Sequence, residues 1–296
     1  MTICPLVHLN GAILPLAEAH ISPLDRGFLF AQAAYEVTAV YAGRFVDLEG
    51  HIARLSRTLQ GIGILGPHGA EGWAALHRDL AARNALTEGL VYLQVTGGAY
   101  DARDFAGPEV FTPTVFAYAD TKALIGPAAR DGIRAVFVDD TRWKRRDMKT
   151  TQLLSQALAY RAAKEQGAET ALMVEDGFVT EAASANAWIV TKSGEIITRD
   201  LSPAILPGIT RAGVMRLREA GGFTITERAF TPDEALAAAE VFTTSAGAMI
   251  APVIALGGQP VGTGRPGPVT RRIQRHYYEA MGADVAKAAP WVLGGD

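Results

Sequence analysis

Lys149 and Glu181 are the residues whose type and setting point most directly to chemistry. Lys149 lies in Trp143-Lys-Arg-Arg-Asp-Met-Lys149-Thr-Thr-Gln-Leu-Leu154, between a strand-like and a helix-like run. Glu181 lies in Val179-Thr180-Glu181-Ala-Ala-Ser184-Ala-Asn186-Ala-Trp188, just after an Asp176-Gly177 turn. A lysine amine can form a Schiff base with a carbonyl, and an acid can hold a ring nitrogen protonated. Those are the two demands of pyridoxal-phosphate chemistry. Either residue type occurs in any protein. A lysine in a basic loop, or an acid at a strand end, is ordinarily solvated. Met148 and Leu153 flank an apolar region, and burial there lowers a lysine pKa from roughly 10.4 towards a nucleophilic range.

Three further segments could bind an anion. Leu206-Pro207-Gly208-Ile209-Thr210-Arg211 places free backbone amides and a threonine hydroxyl at a helix start, where unpaired N–H groups and the dipole favour phosphate. The competing reading is an ordinary threonine N-cap. Ser245-Ala246-Gly247-Ala248, after a strand, could offer amides to the same anion or be a plain turn. Arg54, in His51-Ile-Ala-Arg54-Leu55, sits at a helix edge beside core positions. That suits either a solvated arginine or a phosphate ligand.

The elements that must carry these residues read as hairpins and helices. Val7-His-Leu-Asn10-Gly11-Ala-Ile-Leu14 is a hairpin, because Asn-Gly suits a type I′ turn. A second hairpin covers 34–46, a helix covers 49–60, and strands cover 90–95 and 114–118. The first half is expected to be a small antiparallel sheet with two helices. Residues 121–132 are the best linker candidate. A strand at 133–138 and a helix from about 150 to 165 follow, with Leu153, Leu154, Ala157, Leu158 and Arg161 along one helix face. Then come hairpins turning at Asp176-Gly177 and Ser193-Gly194, and a helix from Thr210 to Ala220 closed by Gly221-Gly222. Thr231-Pro232-Asp233-Glu234 is a capping box, a strand covers 241–244, and a last helix covers about 268–281. Interleaved hairpins and helices indicate an α+β fold rather than a doubly wound sheet.

Composition removes several function classes. The chain has 296 residues, 49% hydrophobic and 20% charged, with a net charge of −3. That gives no reason to expect nucleic acid, and there is no basic stripe. No apolar run reaches the roughly 18 residues of a membrane span. The N-terminus lacks a positively charged leader region, so the expected location is the cytoplasm. One cysteine, Cys4, excludes an intrachain disulfide, and the histidines do not fall at metal-ligand spacings, so no metal is expected. Gly61-Ile-Gly63-Ile-Leu-Gly66 matches a dinucleotide fingerprint in letters alone. It follows a helical pattern rather than a strand, and reads as a helix stop.

Taken in order, these pieces resemble the fold-type IV pyridoxal-phosphate aminotransferases, whose members include D-amino acid, branched-chain and (R)-amine transaminases and aminodeoxychorismate lyase. The motifs are Ser22-Pro-Leu-Asp25-Arg26-Gly27-Phe28-Leu-Phe30, His51-x-x-Arg54-Leu, Asp147-Met-Lys149, Thr180-Glu181-x-x-Ser184-x-Asn186, Pro207-Gly208-Ile209-Thr210-Arg211 and Thr244-Ser245-Ala246-Gly247. The resemblance implies a two-domain fold: a small N-terminal antiparallel-sheet domain at 1–120, a linker at 121–132, and a larger mixed α/β domain at 133–296. It implies pyridoxal 5'-phosphate as cofactor at the domain interface. Lys149 is then the Schiff-base lysine and proton shuttle, and Glu181 the partner of the ring nitrogen. Arg54, Ile209, Thr210 and Ala246 are the phosphate ligands, and Leu206 packs on the ring. It also implies a homodimer whose partner subunit completes the site.

Ala34-Tyr35-Glu36-Val37 and Tyr92-Leu93-Gln94-Val95-Thr96 are similar to the D-amino acid transaminases most of all. By that likeness Tyr35 and Gly247, with Arg103 and Phe105 contributed from the other subunit of the dimer, meet the substrate, and the substrates are D-amino acids and 2-oxo acids. The chain departs from the pattern at three places. Gly97 replaces an arginine, Ala31-Gln32-Ala33-Ala34 replaces Gly-Asp-Gly before the tyrosine, and Ala246 lacks a hydroxyl. The alternatives are an (R)-amine or branched-chain transaminase, then a lyase, then a non-catalytic pyridoxal-phosphate protein, then a plain binding module.

Overall fold

The structure is a computed structural model and describes residues 2–294. The chain forms two compact units. One runs to Leu124 and takes back Met148–Gln152; the other holds Ile125–Asp147 and everything from Leu153.

The first unit is built on six strands: β1 (Thr2–Leu9), β2 (Ala12–Pro15), β3 (Ala33–Tyr41), β4 (Arg44–Phe45), β5 (Gly89–Thr96) and β6 (Val115–Thr121). Their order is β2-β1-β6-β5-β3-β4, with every pair antiparallel. Asn10 and Gly11 both have positive φ, as the tight β1–β2 turn requires. Three helices accompany the sheet: α1 (Arg26–Phe30), α2 (Leu48–Gly61) and α3 (Ala70–Arg83). Ile52, Leu55 and Leu59 of α2 and Trp73, Leu76 and Leu80 of α3 pack with Val91, Leu93, Val95, Ala117 and Ala119 into one core. Side chains alternate across β3. Glu36 and Thr38 are buried, while Tyr35 and Val37 remain half-exposed. The stacked rings of Tyr35, Tyr92 and Tyr118 run across β3, β5 and β6.

Residues 150–152 were expected to open a helix. Instead the segment is tied to the start of β3 by a single bridge. Tyr35 N–H donates to the Lys149 carbonyl at 3.0 Å, Thr151 N–H donates to the Ala33 carbonyl at 3.1 Å, and Ala34 bridges Thr150. Thr150 and Thr151 are β-branched and favour this pairing, so the helix starts only at Leu154. The division into continuous halves is thereby modified: Lys149 belongs to the first unit although it follows 23 residues of the second, Ile125–Asp147. The expected linker is also partly structured, with β6 reaching Thr121 and a short helix α4 at Pro127–Asp131.

The second unit continues with β7 (Ile133–Asp139), α5 (Leu154–Glu165), β8 (Thr170–Glu175), β9 (Phe178–Ala182), β10 (Asn186–Val190), β11 (Ile196–Thr198), α6 (Ile209–Arg216), β12 (Ile225–Glu227), α7 (Pro232–Ala237), β13 (Glu240–Ser245), β14 (Met249–Leu256), β15 (Gln259–Pro260) and α8 (Pro268–Ala280). The sheet order is β12-β11-β10-β13-β14-β7-β8-β9, with β15 beside β14. The β11–β12, β14–β7 and β7–β8 pairs are parallel and the rest antiparallel, so this sheet is mixed. Its core gathers Leu172, Val179, Ile189, Ile197, Phe230, Val241 and Val253. The architecture is α+β, with an antiparallel-sheet unit and a larger mixed-sheet unit. Thr231 and Glu234 form the expected capping box.

Helix α6 stops at Arg216 rather than Ala220, because Leu217 and Arg218 donate three residues back and tighten the chain into turns. On α5 the residues facing the unit's interior are Ala159 and Ala163, and Leu154 and Leu158 are exposed. Among the described residues no helix is long and apolar enough to cross a membrane.

Candidate active site

The first unit holds Lys149 between two neighbours. Its backbone N–H donates to Thr58 Oγ1 at 3.2 Å, and its Nζ lies 4.0 Å from the centroid of the Tyr35 ring. The cation therefore rests on an aromatic face, which attracts it through the ring quadrupole. Tyr35 in turn stacks on Tyr92, with centroids 5.6 Å apart.

Arg54 is buried, and it is paired. Its Nε and Nη2 donate to the two oxygens of Glu36 at 2.8 and 2.7 Å, and His51 Nδ1 lies 2.8 Å from Glu36 Oε2. The three side chains are at most 5% exposed. Burial alone would raise the Glu36 carboxyl, but the charge and hydrogen bonds of Arg54, with those of His51, hold it far below its ordinary value. Burial lowers His51, with Glu36 opposing and Arg54 and Lys149 assisting, so the ring is neutral. Glu36 and His51 thus fix an arginine that sequence alone left as solvated or phosphate-binding. A glutamate on the α2-facing side of β3 and a histidine three residues before Arg54 were the available signals.

Arg103 and Phe105 lie on the exposed loop between β5 and β6, and Phe105 is 72% exposed. The Arg103 guanidinium sits 5.3 Å from the Phe30 centroid and 4.9 Å from that of Phe105.

The second unit places Glu181 on β9, fully enclosed. Its Oε2 accepts from Asn186 Nδ2 at 3.0 Å and from the Leu206 N–H at 3.1 Å, and Oε1 accepts from Arg142 Nη1. Arg142 also binds Asp140 through Nε at 3.0 Å and Nη2 at 2.7 Å. Asp140 further accepts from Thr180 Oγ1 at 2.6 Å and lies 3.5 Å from Arg146 Nε. Buried charges thus alternate along Arg146, Asp140, Arg142 and Glu181. Burial raises the Glu181 carboxyl above its ordinary value, and Arg142 opposes it only in part. In sequence Arg142 opens a short basic run, Arg142, Lys144, Arg145 and Arg146, closed by Asp147. The acid pair Asp139-Asp140 at the end of β7 was the signal that this arginine turns inward.

Asn186 joins two predicted segments, since its Nδ2 also donates to the Leu206 carbonyl at 2.8 Å. Gly208 is required by this contact: a Cβ there would lie 2.0 Å from Asn186 Oδ1. Gly208, not Thr210, is the N-cap of α6, and no side chain caps this end. The first-turn amides, which include those of Ile209 and Thr210, have no partner inside the helix. Ala246 and Gly247 lie in the β13–β14 turn, where Ala248 N–H donates to Ser245 Oγ at 3.2 Å.

The model of the amino-transferase class IV family matches residues 33–256. The D-alanine aminotransferase of Bacillus licheniformis is 36% identical over 282 residues, spanning 95% of this chain and 99% of that protein. A branched-chain amino acid aminotransferase of Escherichia coli superposes with a TM-score of 0.87 at 22% identity, covering 93% of this chain and 94% of that one, a likeness of fold. The branched-chain amino acid aminotransferase of T.th., complexed with N-(5'-phosphopyridoxyl)-L-glutamate, superposes at 0.85 with 25% identity, covering 99% and 98%.

Proposed function

This chain belongs to the amino-transferase class IV family, and on that premise we propose that it is a pyridoxal-phosphate-dependent transaminase moving amino groups between D-amino acids and 2-oxo acids. The observation that carries the chemistry is Glu181: a wholly buried carboxyl with three donors aimed at it. An ionised carboxylate offers about four acceptor sites, so one remains for a ring N–H. A protonated ring nitrogen is also the next cation in the alternation that ends on Glu181. A buried acid at that position serves bond breaking and not mere binding, which favours an enzyme over a non-catalytic carrier.

The cofactor, pyridoxal 5'-phosphate, supplies an electron sink next to the substrate's α-carbon. The chain's residues do the rest. Lys149 would hold the cofactor through its Nζ, and that amine would move the substrate's α-proton to the cofactor carbon, which is the proton transfer that transamination requires. Tyr35 orients that amine. Glu181 holds the ring nitrogen protonated, and Arg142 and Asn186 hold Glu181. The uncapped amides of Ile209 and Thr210 suit a phosphate, and Arg54, the Thr210 hydroxyl and the Ala246 amide complete that set. Leu206 would pack on the ring. Tyr35 and Gly247, with Arg103 and Phe105 contributed by the second copy of the chain, would receive the substrate, and a bidentate guanidinium is the natural receptor for its carboxylate.

The D-amino acid preference rests on the end-to-end likeness to the Bacillus licheniformis D-alanine aminotransferase. A homodimer in which the partner subunit completes the site is part of the same reading. Leu154 and Leu158, 73% and 53% exposed and one turn apart on α5, support a second copy. The cytoplasmic location expected from the sequence is part of the same proposal.

The test is spectral. The purified protein, mixed in turn with D-alanine and L-alanine, should lose its near-visible absorption with the D-isomer alone. An L-selective response would replace this reading by the branched-chain one, and no near-visible band at all would remove the cofactor.

A further inference from the structure

We propose that Arg26 is a positioning residue for substrate recognition: it clamps the β5–β6 loop so that Arg103 is presented in one direction. The inference rests on the reading in which Arg103 receives the substrate carboxylate.

Arg26 is the first residue of α1 and only 4% exposed, although it carries a guanidinium. That guanidinium is spread over three oxygens. Nε donates to Gln32 Oε1 at 2.5 Å, Nη1 to the Asp104 carbonyl at 2.5 Å, and Nη2 to the Phe105 carbonyl at 2.8 Å. All three acceptors are uncharged. A buried cation held by carbonyls and no carboxylate fixes geometry; it neutralises nothing. Two of the three acceptors are the backbone carbonyls directly after Arg103.

The aromatic contacts lead to the same place. The Arg26 guanidinium lies 4.8 Å from the Phe30 centroid, and Arg103 lies 5.3 Å from that same centroid. Phe30 packs at 5.2 Å on Phe105, whose carbonyl Arg26 holds. Arg26 therefore grips both the ring and the backbone that support Arg103. Gly107 fits tightly behind it: φ is +71°, and a Cβ would lie 3.0 Å from Arg26 Cζ.

The start of the loop is tied to the same short helix. Arg26 N–H donates to the Gly98 carbonyl at 2.9 Å and Gly97 N–H to the Gln32 carbonyl at 3.0 Å. Thr96 Oγ1 donates to Asp25 Oδ2 at 2.9 Å and accepts from Gly98 N–H at 2.9 Å. Arg103 is exposed on a loop without helix or strand, so its direction depends on such anchors. A planar guanidinium spreads its donors over separate nitrogens in fixed directions, whereas a lysine offers one point charge on a flexible stem. Gln32 is one of the positions where this chain departs from the family pattern, and it supplies the clamp's third, neutral oxygen.

The experiment compares Arg26→Gln, Arg103→Ala and the double variant as holoenzymes. Substrates are D-alanine and D-alaninol, which keeps the amine and lacks the carboxylate. Losing hydrogen bonds made by a charged group should raise the D-alanine KM of R26Q about tenfold or more, with kcat changed less than about twofold. D-alaninol should be unaffected. The double variant should be no worse than R103A alone, because coupled residues are not additive. Trypsin should cleave after Arg103 several-fold faster in R26Q than in the wild type. If R26Q folds poorly, R26K keeps charge and stem and should show the same substrate-selective defect in milder form.

Normal D-alanine KM in R26Q beside an impaired R103A would sink the positioning role alone. Equal loss on D-alaninol, an additive double variant, or unchanged cleavage after Arg103 would overturn it as well. If R103A itself spares D-alanine, the reading of Arg103 fails, and the recognition role of Arg26 falls with it.

Discussion

Arg142 and Glu181 form an ion pair whose side chains are only 6% and 5% exposed, 39 residues apart in the chain. Arg142 is not Glu181's alone, because Asp140 takes its other edge at 2.7 Å. One guanidinium shared between two carboxylates cannot fully offset the burial of Glu181, and the Glu181 carboxyl stays above its ordinary value. The acid on which the proposed chemistry turns is thus set by two opposed effects, burial raising it and Arg142 lowering it.

Removing Arg142 should tip that balance. In Arg142→Ala the opposing cation is gone, so the Glu181 carboxyl rises further and ionises only at higher pH. The acid limb of the half-reaction rate, followed from pH 5 to 9 with D-alanine, should move upward. The variant should lose about 3–5 kcal/mol of stability, as broken buried pairs do. An unmoved acid limb would mean that Arg142 is purely structural.

Glu181→Gln keeps shape and two of the oxygen's donors but loses the charge. An electrostatic group that acts mainly in the transition state is worth about 10²–10³ in rate. The half-reaction should slow by about that factor while cofactor affinity falls less than about tenfold. The two quantities are read by stopped-flow absorbance and by equilibrium titration of the apoprotein.

Lys149→Ala should abolish the cofactor adduct trapped by borohydride, since it removes the amine held on the Tyr35 face, and should lower turnover by about 10³-fold or more. Mass spectrometry after reduction reads the first and a coupled assay the second. Near-normal turnover would end the assignment.

Gly208→Ala tests the junction of Asn186 and α6. The new Cβ would meet Asn186 Oδ1 at 2.0 Å, so Asn186 or the helix start must move. Overpacking of this kind costs about 1–3 kcal/mol. Because Asn186 also donates to Glu181, the half-reaction should slow in parallel with the fall in thermal midpoint. A variant less stable but fully active would show that Asn186 does not orient Glu181.

The Glu36–Arg54–His51 cluster sets a pH dependence of stability. The folded Glu36 carboxyl lies far below its ordinary 4.5, held there by Arg54 and His51 against burial. A depressed carboxyl stabilises the fold above its unfolded value and loses that contribution as pH falls through and below it. Urea midpoints should therefore drop progressively below about pH 4.5, starting from the unfolded glutamate value. Glu36→Gln should lower the midpoint at pH 7 and flatten that acid slope.

The sequence by itself determined the elements whose signals are local. Asn10-Gly11 demands positive φ twice, so the first hairpin is written in two residues. Thr231 and Glu234 satisfy each other's backbone, so the start of α7 needs nothing distant. The ordered motifs also carried the family, because Lys149, Glu181 and the Pro207–Arg211 turn supply in order the residue types that the cofactor chemistry requires. What only the tertiary structure decided are the partners of these groups. The pairing of Thr150 and Thr151 with β3, which delays the helix expected from about 150 to Leu154, is a long-range hydrogen-bond choice that overrides local spacing. The inward turn of Arg142 to Glu181 and the commitment of Arg54 to Glu36 join residues 39 and 18 positions apart. So does the grip of Arg26 on carbonyls 78 and 79 residues away. A charged side chain carries at most an indirect mark in sequence, a nearby opposite charge, of whether it will be solvated or buried against a counter-charge. Only the packed fold, by excluding water around it, settles which.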